Sequence, residues 1–282
     1  MCILFIYVGL NDDEGDYSLV IASNRDEYYD RPAQEITQWV EDPEVFGGRD
    51  LQPGSGGGTW LAISPSRRKI GILLNLPSDQ KDNKSAQSRG KIVADYVKSK
   101  TVTRDYIDAM KSYIMQCNGF VFVTAEFGDQ TSVKQYAKIT TYSNTSDKLA
   151  IHTQKYLGFG NCLPENPLCK VENGKSKLHD ICSRLNKIDQ KKELVEELLS
   201  LLRSEERHLP DFQLEKRSPV GYKYLSSIFV SMPEIRYGTR THTLILVTKT
   251  GHIDIIEVNL ESPVDTVNPK WITREHQFDL GF

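Results

Sequence analysis

The runs Cys2-Ile3-Leu4-Phe5-Ile6-Tyr7-Val8-Gly9-Leu10 and Tyr17-Ser18-Leu19-Val20-Ile21-Ala22-Ser23 are apolar or alternating, and an Asp- and Gly-rich segment, 11–16, separates them. Two β-patterned runs with turn chemistry between them read as a hairpin. The second run leads directly into Asn24-Arg25-Asp26-Glu27. In an antiparallel pair the end of the second strand returns to the start of the first. Four consecutive polar residues are therefore expected beside Cys2, where they can orient an amine, supply an oxyanion donor or hold an anion.

Further along, residues 59–65 and 69–76 form a second expected strand pair, joined at Pro65-Ser66-Arg67-Arg68 and preceded by the loop Gly54-Ser55-Gly56-Gly57-Gly58. A helix is expected over 85–99, where Ile92, Val93, Tyr96 and Val97 share a face, and another over 103–116, where Tyr106, Ile107, Met110 and Ile114 do. Strands return at 119–127, 131–140 and 148–156, and a helical block covers 175–203. The polar, Pro-containing stretch 204–221 reads as a mobile loop, and strands at 223–231, 240–249, 252–260 and 271–278 close the chain. Strands in runs and helices in paired blocks point to antiparallel sheets covered by helices, not to alternating βαβ units. The expected class is α+β, a four-layer α-β-β-α sandwich of antiparallel sheets. No shift in composition marks a boundary, so residues 1–282 read as one domain.

The formal net charge of −3 lacks the basic excess of a dedicated nucleic-acid binder. No apolar run approaches the roughly 18 residues that span a bilayer. The opening apolar run is preceded by no basic residue and followed by Asp12, Asp13 and Glu14, so a strand is expected there and not a signal or transit peptide. Cys2, Cys117, Cys162, Cys169 and Cys182 are an odd set without C-x-x-C spacing, which fits reduced cytosolic thiols. No two His stand at i, i+4 on an expected helix, so no zinc site is expected.

Cys2 carries the most specific chemistry. A small residue at position 2 lets methionine aminopeptidase remove Met1, which would leave an α-amine beside the Cys2 thiol. That amine titrates near about pH 7.7–8.0 and a thiol near about 8.5. One residue then supplies both nucleophile and base. The plainer reading is a small hydrophobe opening a strand. Asn75 interrupts the apolar run 71–76, Asn161 follows Leu157-Gly158-Phe159-Gly160, and Arg240 opens the strand Gly238-Thr239-Arg240-Thr241-His242-Thr243-Leu244-Ile245-Leu246. Each is either a site residue or a hydrogen-bonded turn, cap or edge residue.

Met1-Cys2-Ile3-Leu4-Phe5, Ala22-Ser23-Asn24-Arg25-Asp26-Glu27-Tyr28 with Arg31-Pro32, Gly57-Gly58-Thr59-Trp60-Leu61, Leu74-Asn75-Leu76, Gly90 and the block 237–246 together resemble the NRDE-motif family, the transport and Golgi organisation protein 2 family. The resemblance covers nearly the whole chain. That family is similar, more distantly, to N-terminal-nucleophile hydrolases of the choloylglycine hydrolase and penicillin V acylase type, whose fold is the α-β-β-α sandwich. Carried onto this chain, the resemblance implies Cys2 as nucleophile and Asp26 as the carboxylate that holds its amine. It implies Asn75 as the oxyanion-hole asparagine, with Asn161 and Arg240 as the remaining active-site Asn and Arg. Those hydrolases carry an Arg directly before the motif's Asn, where this chain has Ser23. Arg25 offers a replacement charge but is expected to leave the strand in the opposite direction.

For function, the resemblance implies ligand handling. It points to intracellular haem trafficking, as a chaperone or export factor with haem as cargo and no catalytic cofactor. It also implies links to acyl-CoA and lipid homeostasis and to Golgi organisation, and a cytoplasmic protein associated with mitochondria or Golgi that touches membranes peripherally. Haem and acyl-CoA are both large, amphipathic and anionic. A cleft with an apolar floor and Arg25, Arg31 and Arg240 at its rim suits either, since Arg grips carboxylate or phosphate in bidentate fashion, and Asn24, Asp26 and Glu27 are further candidate ligand-binding residues. His242 alternates with Arg240 on one strand and is a candidate haem ligand, against the plain reading of a structural histidine. Trp60, beside the Gly-rich loop, can stack on a porphyrin or adenine ring or pack in a core. The alternative function is a Cys2 amidase or thioesterase. A third, an organiser of membrane traffic, rests on the family link alone.

Overall fold

The computed structural model describes residues 2–10, 14–77, 83, 85–128 and 137–280. In chain order the strands begin with β1 (Ile3–Val8), β2 (Tyr17–Tyr28), β3 (Ala33–Trp39), β4 (Asp42–Asp50), β5 (Leu61–Ser64) and β6 (Lys69–Asn75). Helices α1 (Gly90–Lys98) and α2 (Thr103–Ile114) follow, then β7 (Phe120–Glu126), β8 (Lys138–Ser143), β9 (Lys148–His152) and β10 (Tyr156–Gly160). Next come α3 (Cys169–Arg184), α4 (Lys191–Leu202), α5 (Phe212–Arg217) and α6 (Tyr222–Leu225). The last strands are β11 (Ser231–Met232), β12 (Tyr237–Thr248), β13 (His252–Leu260) and β14 (Trp271–Asp279).

These elements form two compact units, one from residues 1–30 and 154–278, the other from 31–153 and 279–282. The sheet of the first unit runs β10-β1-β2-β12-β13-β14, with β11 beside one end of β12. β1 pairs antiparallel with both β2 and β10, and β12 with both β2 and β13. On one face Ile3, Phe5, Ala22, Leu244, Leu246 and Val258 pack against Leu178, Ile181, Leu194 and Leu198 of α3 and α4. Gly174 sits at mid-helix in α3, where Gly costs about 1 kcal/mol relative to Ala. The close approach of Phe5 requires it, since a Cβ there would meet the ring at 2.1 Å. On the other face Leu4, Ile6, Leu19, Ile21, Ile245 and Val247 are buried as well.

The second unit has the sheet order β3-β4-β5-β6-β7-β8-β9. Its core joins Ile92, Val93 and Tyr96 of α1 and Tyr106 of α2 to Ala62, Phe120 and Phe122. Tyr96 meets Tyr106 and Phe122 edge-on, with ring centroids 5.3 and 5.2 Å apart. Its hydroxyl is 2.9 Å from Thr103 Oγ1. That bond gives a buried phenol a partner.

The α+β class with two antiparallel sheets and flanking helices agrees with the expectation. Several boundaries do not. β2 continues to Tyr28, so Asn24–Glu27 lie inside the strand and not after it. β3 and β4 were not anticipated. Their alternation is mostly polar, with Ile36, Trp39 and Val45 as the buried apolar side chains beside the buried Gly47 and Gly48. Of the expected strand 131–140, residues 131–136 lie outside the described residues, as do 11–13 of the expected hairpin turn. The helical block 175–203 begins earlier, at Cys169, and is interrupted between Arg184 and Lys191.

The expected loop 204–221 instead holds α5, whose Leu214 is fully buried. Asp211 fixes it by accepting from Leu214 N at 3.0 Å through Oδ1 and from Cys169 N at 2.8 Å through Oδ2. One carboxylate thus satisfies N–H groups at the starts of two helices. The expected strand 223–231 is contradicted too. Residues 222–225 are helical, and Ser226 and Ser227 bond back to Lys223 O and Tyr224 O, each at 2.9 Å. Local serine bonds have replaced a ladder there.

Candidate functional site

Register brings four strand ends of the first unit together. Ile3 pairs with Asn24 on one side and Gly160 on the other, so Cys2 lies at the same end as Arg25 and Asn161. Asp26 pairs with Thr239, which adds Arg240 to that end. The expected convergence of the tetrapeptide on Cys2 is what the hairpin produces. Cys2 is half-buried and its Sγ is 4.0 Å from Asp26 O. Burial pushes its thiol pKa up, and the Asp26 carboxylate pushes in the same direction.

Alternation sorts the tetrapeptide between the two faces of β2. Asn24 points to the helices, where its amide donates to Leu202 O at 2.8 Å and Ile228 O at 3.1 Å. Asp26 shares this parity. Its Oδ1 accepts from Thr239 Oγ1 at 2.7 Å, and that hydroxyl accepts in turn from Val230 N at 2.9 Å. Arg25 and Glu27 point the other way. Pairing is unbroken from Ser23 through Arg25, so these two share a face. Arg25 therefore leaves the strand on the same side as Ser23, which corrects the expectation that it would leave oppositely.

Pairing between β12 and β2 shifts between Thr239 and Thr241, and Arg240 is the extra residue of this β-bulge. The bulge breaks the alternation expected to put Arg240 and His242 on one side. Arg240 has Arg25 and Glu27 as charged neighbours, and its guanidinium donates to Tyr28 O at 2.9 Å and Ser262 Oγ at 3.1 Å. Burial, with the like charge of Arg25, brings its pKa down to about 10, so it remains a cation at neutral pH. His242 is 0% exposed, with Nδ1 2.6 Å from Asn24 Oδ1 and its ring stacked 4.9 Å from Trp271. Burial holds it neutral, with its pKa brought down to about 3. The structure places it among core side chains.

Lys170, which the sequence reading did not single out, lies in the first turn of α3 and is 1% exposed. Its Nζ donates to Ser227 O at 2.9 Å. Burial lowers its pKa, and the nearby Asp26 and Cys2 oppose that shift. Arg217, also unforeseen, donates to Asn161 O at 2.7 Å from the end of α5. Asn161 itself is buried. The cluster thus brings Cys2, Asp26, Asn161, Lys170, Arg217 and Arg240 to one end of the sheet.

The other expected residues belong to the second unit. Arg31 makes a bidentate pair with Asp50, at 3.1 and 2.6 Å. Trp60 rests on Gly48, where a Cβ would meet the indole at 2.6 Å. Asn75 is exposed at the end of β6, opposite Phe120. Among the described residues, no group of three or more His, Cys, Asp or Glu is placed to hold a metal ion, and no helix is long and apolar enough to cross a membrane.

Residues 1–262 match the family model for Transport and Golgi organisation 2. The chain belongs to this family. It is 36% identical over 263 residues to Transport and Golgi organization protein 2 of Drosophila melanogaster, covering 91% of each chain. It is 32% identical over 288 residues to the Homo sapiens homolog and 30% identical over 289 residues to the Mus musculus homolog, covering 99% of each chain in both comparisons. The family match includes both the strand end that carries Cys2 and the bulge that carries Arg240.

Proposed function

We propose that this member of the Transport and Golgi organisation 2 family handles an amphipathic, anionic small molecule of the haem or acyl-CoA class at the Cys2–Asp26–Arg240 end of its first unit. The supporting observation is the clustering of buried cations beside a thiol. Arg25, Arg240 and Lys170 are 7%, 6% and 1% exposed. A group of guanidinium and ammonium side chains suits a carboxylate or phosphate head group, which Arg can grip in bidentate fashion. In this reading Arg240 and Arg25 grip carboxylate or phosphate, and the Cys2 thiolate is the soft donor available to haem iron. The protein acts as a cytoplasmic haem chaperone or export factor, visiting mitochondrial or Golgi membranes peripherally. Its contribution to lipid homeostasis and Golgi organisation follows from the cargo it moves.

The reading includes the four-layer α-β-β-α arrangement of N-terminal-nucleophile hydrolases. Each unit carries helices on one face of its sheet, which is what each half of such a sandwich needs. One observation favours hydrolysis as the alternative: the main-chain O of Asp26 lies 4.0 Å from Cys2 Sγ, and the Asp26 carboxylate is held by Thr239. With Met1 removed it is placed to hold the new amine, as in acyl transfer through a Cys2 thioester.

Titration of the purified protein with haem and with a long-chain acyl-CoA tests the main reading. A saturable Soret shift or saturable acyl-CoA binding is expected. Binding of neither above the level of serum albumin would overturn it. Intact mass separates the alternative, because retained Met1 leaves no amine base.

A further inference from the structure

The segment after α4 carries a surface unlike that of the helices before it. The exposed positions of α3 and α4 are polar and of both signs, with Glu172, Asp180 and Arg184 on one and Lys192, Glu193 and Glu196 on the other. That is an ordinary solvated face. From Arg207 through Tyr224, by contrast, every exposed residue is cationic or apolar. The cations are Arg207, Lys216 and Lys223. The apolar members include Leu209 and Tyr224, and above all Phe212 and Val220, which are 78% and 92% exposed. The acidic residues of the stretch, Asp211 and Glu215, are buried and half-buried.

The fold holds these side chains outward. In α5 Leu214 is buried and Asp211 caps the first turn, so Phe212 and Lys216, one turn apart, share the exposed face. In α6 Tyr222 and Leu225 pack on the core, while Lys223 and Tyr224 are exposed. Val220 is carried between the helices on a turn in which Gly221 N and Tyr222 N donate to Ser218 O, at 3.1 and 2.8 Å. The Arg207 guanidinium lies 5.4 Å from the centre of the Tyr224 ring, which joins the start of the segment to its end. The segment also touches the candidate site, since Arg217 donates to Asn161 O at 2.7 Å and Ser227 O accepts from Lys170 at 2.9 Å.

Large apolar side chains grouped on a surface mark a contact site. Cations interleaved with them, and no exposed acid among them, match acyl chains lying beneath anionic head groups. We propose that the surface from Arg207 to Tyr224 docks the chain on an anionic phospholipid bilayer. Phe212 and Val220 enter the apolar boundary, and Arg207, Lys216 and Lys223 meet the lipid head groups. Docking there rests on the proposed peripheral visit to membranes, and it adds the surface and the lipid charge through which that visit is made. It sets the Cys2 end of the first unit beside the bilayer, from which an amphipathic anion is taken up or to which it is returned.

Flotation of the full chain with phosphatidylserine–phosphatidylcholine vesicles, and with pure phosphatidylcholine vesicles, tests this. Wild type is expected to bind the first and not the second, more weakly as salt is raised. Each basic residue near an anionic surface is worth roughly fivefold in binding. Lys216→Glu with Lys223→Glu is therefore expected to weaken binding at least tenfold, and so is Phe212→Ser with Val220→Ser. Arg184→Glu with Lys192→Glu makes the same change of charge on α3 and α4 and is expected to keep most of the binding. A wild-type urea midpoint reports that each variant is folded, and where a pair does not fold its single members serve the same comparison. Unchanged binding in either folded patch variant, or equal loss in the α3–α4 variant, overturns the role of this surface and leaves the membrane visit standing. Binding by wild type that ignores lipid charge overturns the anionic partner. Wild type that binds neither vesicle overturns the surface and the membrane visit together, as a protein partner on this patch would require, and leaves the cargo titration in solution untouched.

Discussion

Thr239 and Asp26 face each other across β12 and β2, and the Thr239 hydroxyl donates to Asp26 Oδ1 at 2.7 Å while accepting from Val230 N at 2.9 Å. This hydroxyl is the link between the bulge that projects Arg240 and the carboxylate beside Cys2. Removing it by Thr239→Val keeps the volume but strips a bond from a buried carboxylate and one from a buried N–H. The expected cost is about 2–3 kcal/mol, read as a lower urea midpoint with unchanged slope. Thr239→Ser is expected to recover most of it. A Thr239→Val protein as stable as wild type would show that Asp26 is held by other groups.

Asn24 and His242 set the acid limit of the fold. His242 has an ordinary pKa near 6.5, brought down to about 3 by burial. Between those values the unfolded chain binds a proton that the folded chain does not. Stability therefore falls as pH drops from about 6.5 towards 3 and is fully present above that window. The loss reaches at most about 4–5 kcal/mol. Unfolding free energy measured at several pH values is expected to have a shallower slope in His242→Phe than in wild type. Equal slopes would contradict a neutral, buried His242.

Gly174 in α3 reads as a helix weakness in the sequence, and Gly174→Ala is a stabilising change by propensity alone. The Phe5 ring reverses the sign, because a Cβ would meet it at 2.1 Å. Gly174→Ala is expected to destabilise by roughly 1–3 kcal/mol, seen as a lower Tm. A raised Tm would show that Phe5 can move aside.

The first hairpin and the convergence of Asn24–Glu27 on Cys2 were legible because period-2 apolar runs fix register, and register fixes which ends meet. The faces were less so. Arg240 lies at a bulge, and an inserted residue leaves no mark in a polar-rich strand opening. β3 and β4 were invisible because their alternation is mostly polar and only a few positions are buried. Lys170 was available to a closer reading. It stands at i, i+4 and i+8 with Gly174 and Leu178 on the apolar stripe of α3, but placing the helix start at 175 hid it. Residues 223–231 misled because Tyr, Ile, Phe and Val read as strand. The structure instead holds the segment by serine bonds and by the Asn24 amide donating to Ile228 O.

The central claim is that the buried cations at the Cys2 end receive an anionic cargo. The most direct measurement is the affinity of haem and of a long-chain acyl-CoA for wild type and for a folded Arg25→Met, Arg240→Met double variant. Loss of one bidentate anion contact is worth about 1.5–3 kcal/mol, so binding of the cargo is predicted to weaken at least tenfold. Unchanged affinity for every ligand that wild type binds would contradict the account.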